Sequence, residues 1–289
     1  LAGIVFGNLA ATSTVNYAGA GAQTVNVATY GNLTLSVSGT KTLTGVSAIV
    51  GNFTLSGSVA ATATTNMSIG HSVILGGGTF TGGAFTTTLT GDWTHNRGTF
   101  TNTGSTIKFD NTLNDQNING TAPPQTFNNL TVEKGEKALK FSGLTTTVTV
   151  GGTLTMTSGN IDCGTGKLQL GISTAVAGTL VYTAGNIIGN FTRWFGATGA
   201  KAFPLGIATA SGTTVAKNYA LVTISTLGTA GSLTASFITS PPGILGFPLP
   251  ESSVTLLNTF PDGYWSFVPT TLVSTNYALE LNGTDFSTF

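Results

Sequence analysis

The sequence predicts an all-β chain: a Gly/Thr-rich β-solenoid of about 20 residues per rung over residues 1–192, then a partial antiparallel β-sandwich over 193–289. Three observations carry this. First, a short motif of an apolar or small residue, Gly and usually Asn or Asp recurs as Tyr30-Gly31-Asn32-Leu33, Val50-Gly51-Asn52-Phe53, Ile69-Gly70-His71 and Thr90-Gly91-Asp92-Trp93, with its glycines 20, 19 and 21 residues apart. A fixed period of this size marks a stacked, quasi-one-dimensional architecture. Second, the segments between the motifs alternate strictly, as in Leu33-Thr34-Leu35, Phe53-Thr54-Leu55 and Leu154-Thr155-Met156. Period-2 alternation puts the apolar residues on one face of a strand and Thr on the other, so Leu33, Phe53 and Leu130 should face inward and Thr34, Thr54 and Thr131 outward. Third, no segment shows a helical period.

The elements follow in order. Phe6-Gly7-Asn8-Leu9 opens the motif series, and Val150-Gly151-Gly152 and Ile188-Gly189-Asn190-Phe191 extend it. Gly78-Thr79-Phe80 and Gly98-Thr99-Phe100 form a second repeating element half a period from the first. Gly suits tight corners needing φ > 0, and Thr suits a pleated, half-solvated strand face. Two or three short strands then make one rung, and seven to nine rungs give a rod on the order of 40 Å long. Asp110–Asn128, with its Asn, Asp, Gly and Pro123-Pro124, reads as a loop projecting from the wall, with a strand near Gln116–Ile118. Beyond Phe195 the glycine period stops and prolines appear at 204, 241, 242, 248, 250, 261 and 269. Longer strands are expected at Tyr219–Thr226, Ser232–Thr239, Val254–Leu257, Tyr264–Val268 and Tyr277–Leu281, with a loop at Ser240–Glu251. The last residues come shortly after such a strand, so the sandwich should be incomplete and the natural chain should continue; the start at Leu1 rather than Met suggests that a signal segment has been removed or that the chain has been trimmed.

A longer repeat overlies the short one. Tyr17…Gln23-Thr24-Val25…Tyr30-Gly31-Asn32-Leu33-Thr34-Leu35…Gly39-Thr40-Lys41-Thr42-Leu43 returns about 96 residues later as Phe109…Gln116-Asn117-Ile118…Phe127-Asn128-Asn129-Leu130-Thr131-Val132…Gly135-Glu136-Lys137-Ala138-Leu139. This order, with Gly51-Asn52-Phe53-Thr54-Leu55-Ser56-Gly57, resembles the repeat regions of large secreted surface proteins of the Bacteroidota, many of them regarded as adhesins. Phe203-Pro204-Leu205-Gly206, Tyr219-Ala220-Leu221-Val222-Thr223-Ile224 and Gly263-Tyr264-Trp265 are similar to a β-sandwich that follows such repeats. The resemblance covers nearly the whole chain and implies a β-solenoid, export by the type IX route and a cell-surface location. It brings no catalytic residues, and no sorting domain is visible.

Composition narrows the function classes. Only 7% of residues are charged, against roughly 25% in typical soluble domains, and ten basic residues balance ten acidic ones. No basic patch exists to neutralise phosphates or bind an anionic membrane, so nucleic-acid and membrane-surface roles are disfavoured. No apolar run approaches the ~20 residues of a membrane span. A net charge of zero removes the repulsion that keeps monomers apart, favouring a subunit meant to assemble.

Candidate chemistry is sparse. Asp92 and Asp115, 23 residues apart, could stack on neighbouring rungs as a carboxylate pair, though a turn residue plus a loop residue explains them better. Glu133 and Glu136 among Lys134, Lys137 and Lys140 read as a solvated charged edge. His71 and His95 have no further His or Cys at metal-ligand spacing, so neither a metal nor a cofactor site is expected. Gly76-Gly77-Gly78 lacks the helix and Lys of a phosphate loop. Cys163 reads as a buried, inert thiol, and Trp93 and Phe53 as core. Of Tyr264 and Trp265, one ring should be buried and the other exposed. Asn-x-Ser/Thr at Asn32, Asn52, Asn66, Asn119, Asn129, Asn190 and Asn282 reads as corner asparagines before Thr-rich strands rather than as glycosylation sites.

These readings converge on a non-enzymatic extracellular structural protein, an adhesin stalk or a subunit of a surface filament. The alternative is a carbohydrate- or ice-binding solenoid whose Thr-x-Thr ladders, such as Thr79-Phe80-Thr81 and Thr99-Phe100-Thr101, contact ice or surface glycans, although Ser56-Gly57-Ser58 and Asn160-Ile161-Asp162 should break the ladder. A polysaccharide-active enzyme comes third. Self-association is expected through the apolar segment Leu1-Ala2-Gly3-Ile4-Val5-Phe6, with Leu1, Ile4, Val5 and Phe6 as subunit contacts, because a short Pro-free β-prone stretch pairs readily with another strand.

Overall fold

A computed structural model of the chain describes residues 9–122, 124–143, 147–243, 246, 248–251, 254–256 and 261–284. All regular structure among them is β. Leu1, Ile4, Val5 and Phe6 lie outside the described residues.

From Thr14 onward the chain coils through about nine turns of about 20 residues, each turn laying down three short strands. The strands of successive turns pair in parallel, so the rod has three walls. The first wall stacks Val15, Leu33, Phe53, Val73, Trp93 and Ile118 in register. The second stacks Gln23, Lys41, Ala61, Phe80 and Phe100. The third stacks Tyr30, Ile49, Ile69, Leu89, Phe109 and Val132. Alternation decides what faces in: Leu33, Phe53 and Leu130 are fully buried, while Thr34, Thr54 and Thr131 are half-exposed on the outside. Each rung alone would expose both backbone edges, so stacking is what makes it stable.

The recurrent Gly-Asn corner has a specific job. At the corner leading into the first wall, one side-chain oxygen per rung accepts the backbone N–H of the next rung. Asn52 N donates to Asn32 Oδ1 (2.9 Å), Ser72 N to Asn52 Oδ1 (3.0 Å), Asp92 N to Ser72 Oγ (2.9 Å) and Asn117 N to Asp92 Oδ1 (2.7 Å). A buried corner would otherwise leave unpaired amides. The motif glycines at 31, 51, 70 and 91 serve close approach rather than the positive φ expected of them, whereas Gly189 does take a positive φ (95°). A Cβ on Gly70 would sit 2.1 Å from the carbonyl oxygen of Val50, one rung away. Positive φ belongs instead to a second glycine series at the next corner, including Gly57 (φ 70°) and Gly78 (φ 69°).

The long repeat is displaced by one wall. Gln23, Tyr30 and Leu33 lie on the second, third and first walls, whereas their counterparts Gln116, Phe127 and Leu130 lie on the first, second and third. The copies are therefore fourteen walls apart, or four and two-thirds turns. What recurs is a corner plus a strand, and any wall accommodates it.

The segment 110–128 is less of a loop than expected. Gln116–Asn119 and Gln125–Phe127 are strands within the walls, because their alternate residues Gln116, Ile118, Gln125 and Phe127 fill the interior.

The strand Ile187–Phe195 joins both architectures. One side pairs in parallel with the last rung (Leu168↔Phe191), and the other pairs antiparallel with Gly231–Ile238 (Phe191↔Ala235), which pairs with Tyr264–Thr270. At Ile187↔Leu205 the first wall passes into Gly199–Leu205, which pairs antiparallel with Asn218–Thr229, and that with Val273–Gly283. The two sandwich sheets are thus prolongations of two solenoid walls, and one hydrophobic core runs from Tyr17 to Phe237. The region 240–251 also carries a short strand, Leu249–Glu251, paired with Val254–Leu256.

Candidate functional site

The most regular surface lies on the second wall. There the outward residues of five consecutive rungs form an unbroken row, Thr24, Thr42, Thr62, Thr81 and Thr101. Beside it, two residues back along each strand, run Thr40, Ala60, Thr79 and Thr99. Strand spacing sets the rungs about 4.8 Å apart and the two rows about 6.7 Å apart. Thr24, Thr40, Thr42, Thr62 and Thr99 are exposed, and Thr79, Thr81 and Thr101 half-exposed. The intervening inward residues Lys41, Ala61 and Phe80 are buried behind the array. The array presents hydroxyls and methyls on a rigid lattice without a charge.

The array is more regular than the sequence suggested. Ser56 sits at the corner between the first and second walls, Ser58 opens the second-wall strand two residues before Ala60 and pairs with Ser38, and Asn160-Ile161-Asp162 belongs to the first wall, so none of them interrupts the two threonine rows. Its only substitution is Ala60. It ends at Thr101, where no described pairing links Thr99–Thr101 to Gln125–Phe127 and the second wall is interrupted. A cavity of about 220 Å³ opens at this break, lined by Trp93, His95, Phe100 and Gln125. His95 is 8% exposed, its Nε2 is 3.3 Å from the Gly98 carbonyl, and burial holds its pKa below the usual value.

Each candidate acid has its own structural partners. Asp92 is the fourth rail of the corner ladder, where Asn117 Nδ2 also donates to it (3.1 Å). Asp115 accepts from Ala138 N (2.8 Å) and pairs with Lys140 (2.6 Å), which together hold its carboxyl low. The charged edge is solvated only in part. Glu133 pairs with Lys108 at 2.7 Å, but Glu136 clamps a loop, accepting from Ser211 Oγ (2.9 Å), Gly212 N (3.1 Å) and Thr213 Oγ1. These bonds keep its pKa low.

Lys134, expected on that edge, is fully buried, and its ammonium donates to the carbonyls of Asn111 (2.8 Å) and Asn114 (3.0 Å) and to Gln116 Oε1 (2.8 Å). Lys41 is likewise buried and donates to the carbonyls of Gly19 and Gly21. Each lies 18 residues after a Gln that closes the same turn, Gln23 on Gly19 N and Gln116 on Asn111 N. Strand phase held the signal: Lys41 is in phase with Leu43, and Lys134 with Leu130 and Val132.

The remaining residues fall largely as read. Cys163 is fully buried and burial pushes its thiol up to about 12. Trp93 and Phe53 are core, while His71 is exposed at a corner. Asn32, Asn52, Asn66 and Asn129 each accept a next-rung N–H through Oδ1. Tyr264 and Trp265 do not divide into one buried and one exposed ring. Both are half-exposed, because they lie on an outermost strand whose inner face is only partly covered. Among the described residues, no group of three or more His, Cys, Asp or Glu could hold a metal ion, and no helix is long and apolar enough to cross a membrane.

No known protein family, curated protein or solved structure matches the chain.

Proposed function

We propose that the chain is an extracellular structural protein, a subunit of a surface filament or an adhesin stalk, that assembles through strand edges. The observation supporting this most is at the sandwich end. Tyr264–Thr270 and Val273–Gly283 are each paired along one side only among the described residues, and Val273, Tyr277, Leu279 and Leu281 are 44–60% exposed. A long, weakly charged free edge templates another strand. The incoming strand in this reading is Leu1–Phe6 of the next copy, which gives a head-to-tail contact that propagates. The resemblance to Bacteroidota surface proteins supports the cell-surface location. Light scattering and electron microscopy of the full chain should find filaments or higher oligomers, and deleting residues 1–6 should return it to a monomer of about 29 kDa. A full chain that stays monomeric at high concentration would refute the reading, and a shortened chain that still assembles would refute the joint.

The threonine array favours a second reading, a carbohydrate- or ice-binding solenoid. A flat, uncharged lattice with repeats of about 4.8 and 6.7 Å suits an ordered surface such as ice or a crystalline glycan. Placing a bulky ring at the centre, Thr62→Tyr, should abolish any thermal hysteresis or polysaccharide retention without altering the fold. A wild-type chain showing neither activity removes this reading.

A further inference from the structure

Two cations lie between the sandwich sheets with no anion paired to them among the described residues. Along Ile187–Phe195, Phe191, Arg193 and Phe195 point toward the opposite sheet, and Arg193 is 6% exposed beside its strand neighbours Leu170 and Leu233. From that opposite sheet Lys201, strand partner of Val222, points inward with its Nζ 5.5 Å from the Phe195 ring centre. Arg193 makes one hydrogen bond among the described residues, from Nη1 to the Ala202 carbonyl (3.0 Å), and its Nε is buried without a partner. The ion pairs among the described residues are Lys108–Glu133 and Lys140–Asp115, and neither involves these two cations. Burial pushes Arg193 down to about 10; it also lowers Lys201, on which the Arg193 charge acts in the same direction. Burying like charges together without a counter-ion is unfavourable, and a bound anion removes the cost.

An apolar cleft of about 440 Å³ opens beside them. Leu233 and Val222, the immediate strand partners of Arg193 and Lys201, form its inner end, and Phe267, Leu272, Tyr277 and Leu279 form its walls toward the free edges. Its lining includes no charged side chain. We propose that this cleft binds an amphiphile with a carboxylate on an aliphatic chain, the carboxylate meeting Arg193 and Lys201 and the chain lying between the two sheets. The size falls within the range of small-molecule sites, and a guanidinium can take a carboxylate through paired hydrogen bonds. This goes beyond the assembly reading and needs no second copy. A strand donated by residues 1–6 would fill apolar space but bring no acid to Arg193.

Titration of the full chain with dodecanoate, dodecanol and dodecyltrimethylammonium, below their micellar concentrations, tests it. Dodecanoate should bind one per chain, at least tenfold more tightly than dodecanol, and the cationic amphiphile more weakly still. Arg193→Met, which replaces a buried unpaired charge by an apolar chain and should fold at least as well, should weaken dodecanoate roughly 10- to 100-fold and leave dodecanol unchanged. Lys201→Met is the second variant and should weaken dodecanoate several-fold. Equal affinity for dodecanoate and dodecanol overturns the proposal, as does dodecanoate binding unaffected by both substitutions. So does a full chain that binds none of the three.

Discussion

Trp93→Ala should lower the stability of the fold by about 3–5 kcal/mol, one of the two largest single-residue effects expected in the rod. Trp93 is 1% exposed, with its ring 4.8 Å from that of Phe100 and 5.5 Å from that of Phe127. Phe100 stacks on Phe80 at 5.8 Å, and Phe80 meets Phe53 at 5.3 Å, so an aromatic column runs up the interior across several rungs. It crosses the level at which the second wall is interrupted. There the rings carry contact that backbone pairing carries elsewhere, and truncating the central ring should leave a cavity between two halves of the stack. Because a stacked array is stabilised by nearest-neighbour interfaces, weakening one should also split its unfolding. Urea denaturation followed by circular dichroism should show a lower midpoint and two transitions in place of one. A loss under about 1 kcal/mol with a single transition would show that the column does not join the halves.

Lys134→Ala should cost about 3 kcal/mol, since three oxygens lose their donor and each orphaned acceptor costs on the order of 1 kcal/mol. Lys134→Met, which keeps the packing of the stem, should cost less, and it exposes the pH effect. Burial pushes the Lys134 ammonium down to about 8, whereas in the unfolded chain it titrates near ~10.4. Between these values the unfolded state binds more protons, so raising the pH favours the folded state; below pH 8 both states are protonated and the group adds no slope. The wild-type minus Lys134→Met difference in unfolding free energy should therefore be flat from pH 6 to 7.5. It should then grow in favour of wild type above pH 8, by at most about 1.4 kcal/mol per unit. A difference that is flat or shrinking between pH 8 and 10 contradicts a depressed lysine.

The solenoid was legible because its physics is local. Leu33, Phe53 and Leu130 faced inward as alternation required, and the glycines at 31, 51, 70 and 91 marked real corners. What a linear period does not encode is which wall a strand joins. Ser56-Gly57-Ser58 therefore reads as a break in a ladder that it only precedes, and the five-rung Thr24–Thr101 row can be assembled only from the register. Charge misled reading more than shape did. Lys41, Lys134 and Arg193 are all in phase with buried neighbours, yet the charge of Lys134 by itself points to the surface. The interior positions of Lys41 and Lys134 depend on carbonyls and side chains about twenty residues upstream, which no local window contains; Arg193 depends on the Ala202 carbonyl, nine residues on but across the sandwich, where only tertiary folding brings it. The free edges and the cleft at the sandwich end are products of tertiary pairing alone.

The displacement of the long repeat by one wall bears on how such a rod can grow. Splicing in one further unit would lengthen it by four and two-thirds turns and would also re-aim everything downstream by a third of a revolution. Patches carried by successive units would wind around the axis like steps on a spiral stair, and only every third unit would look in the same direction. A tall rod built this way would meet a partner from any side with some of its patches, whereas no single side could present an uninterrupted array longer than one unit.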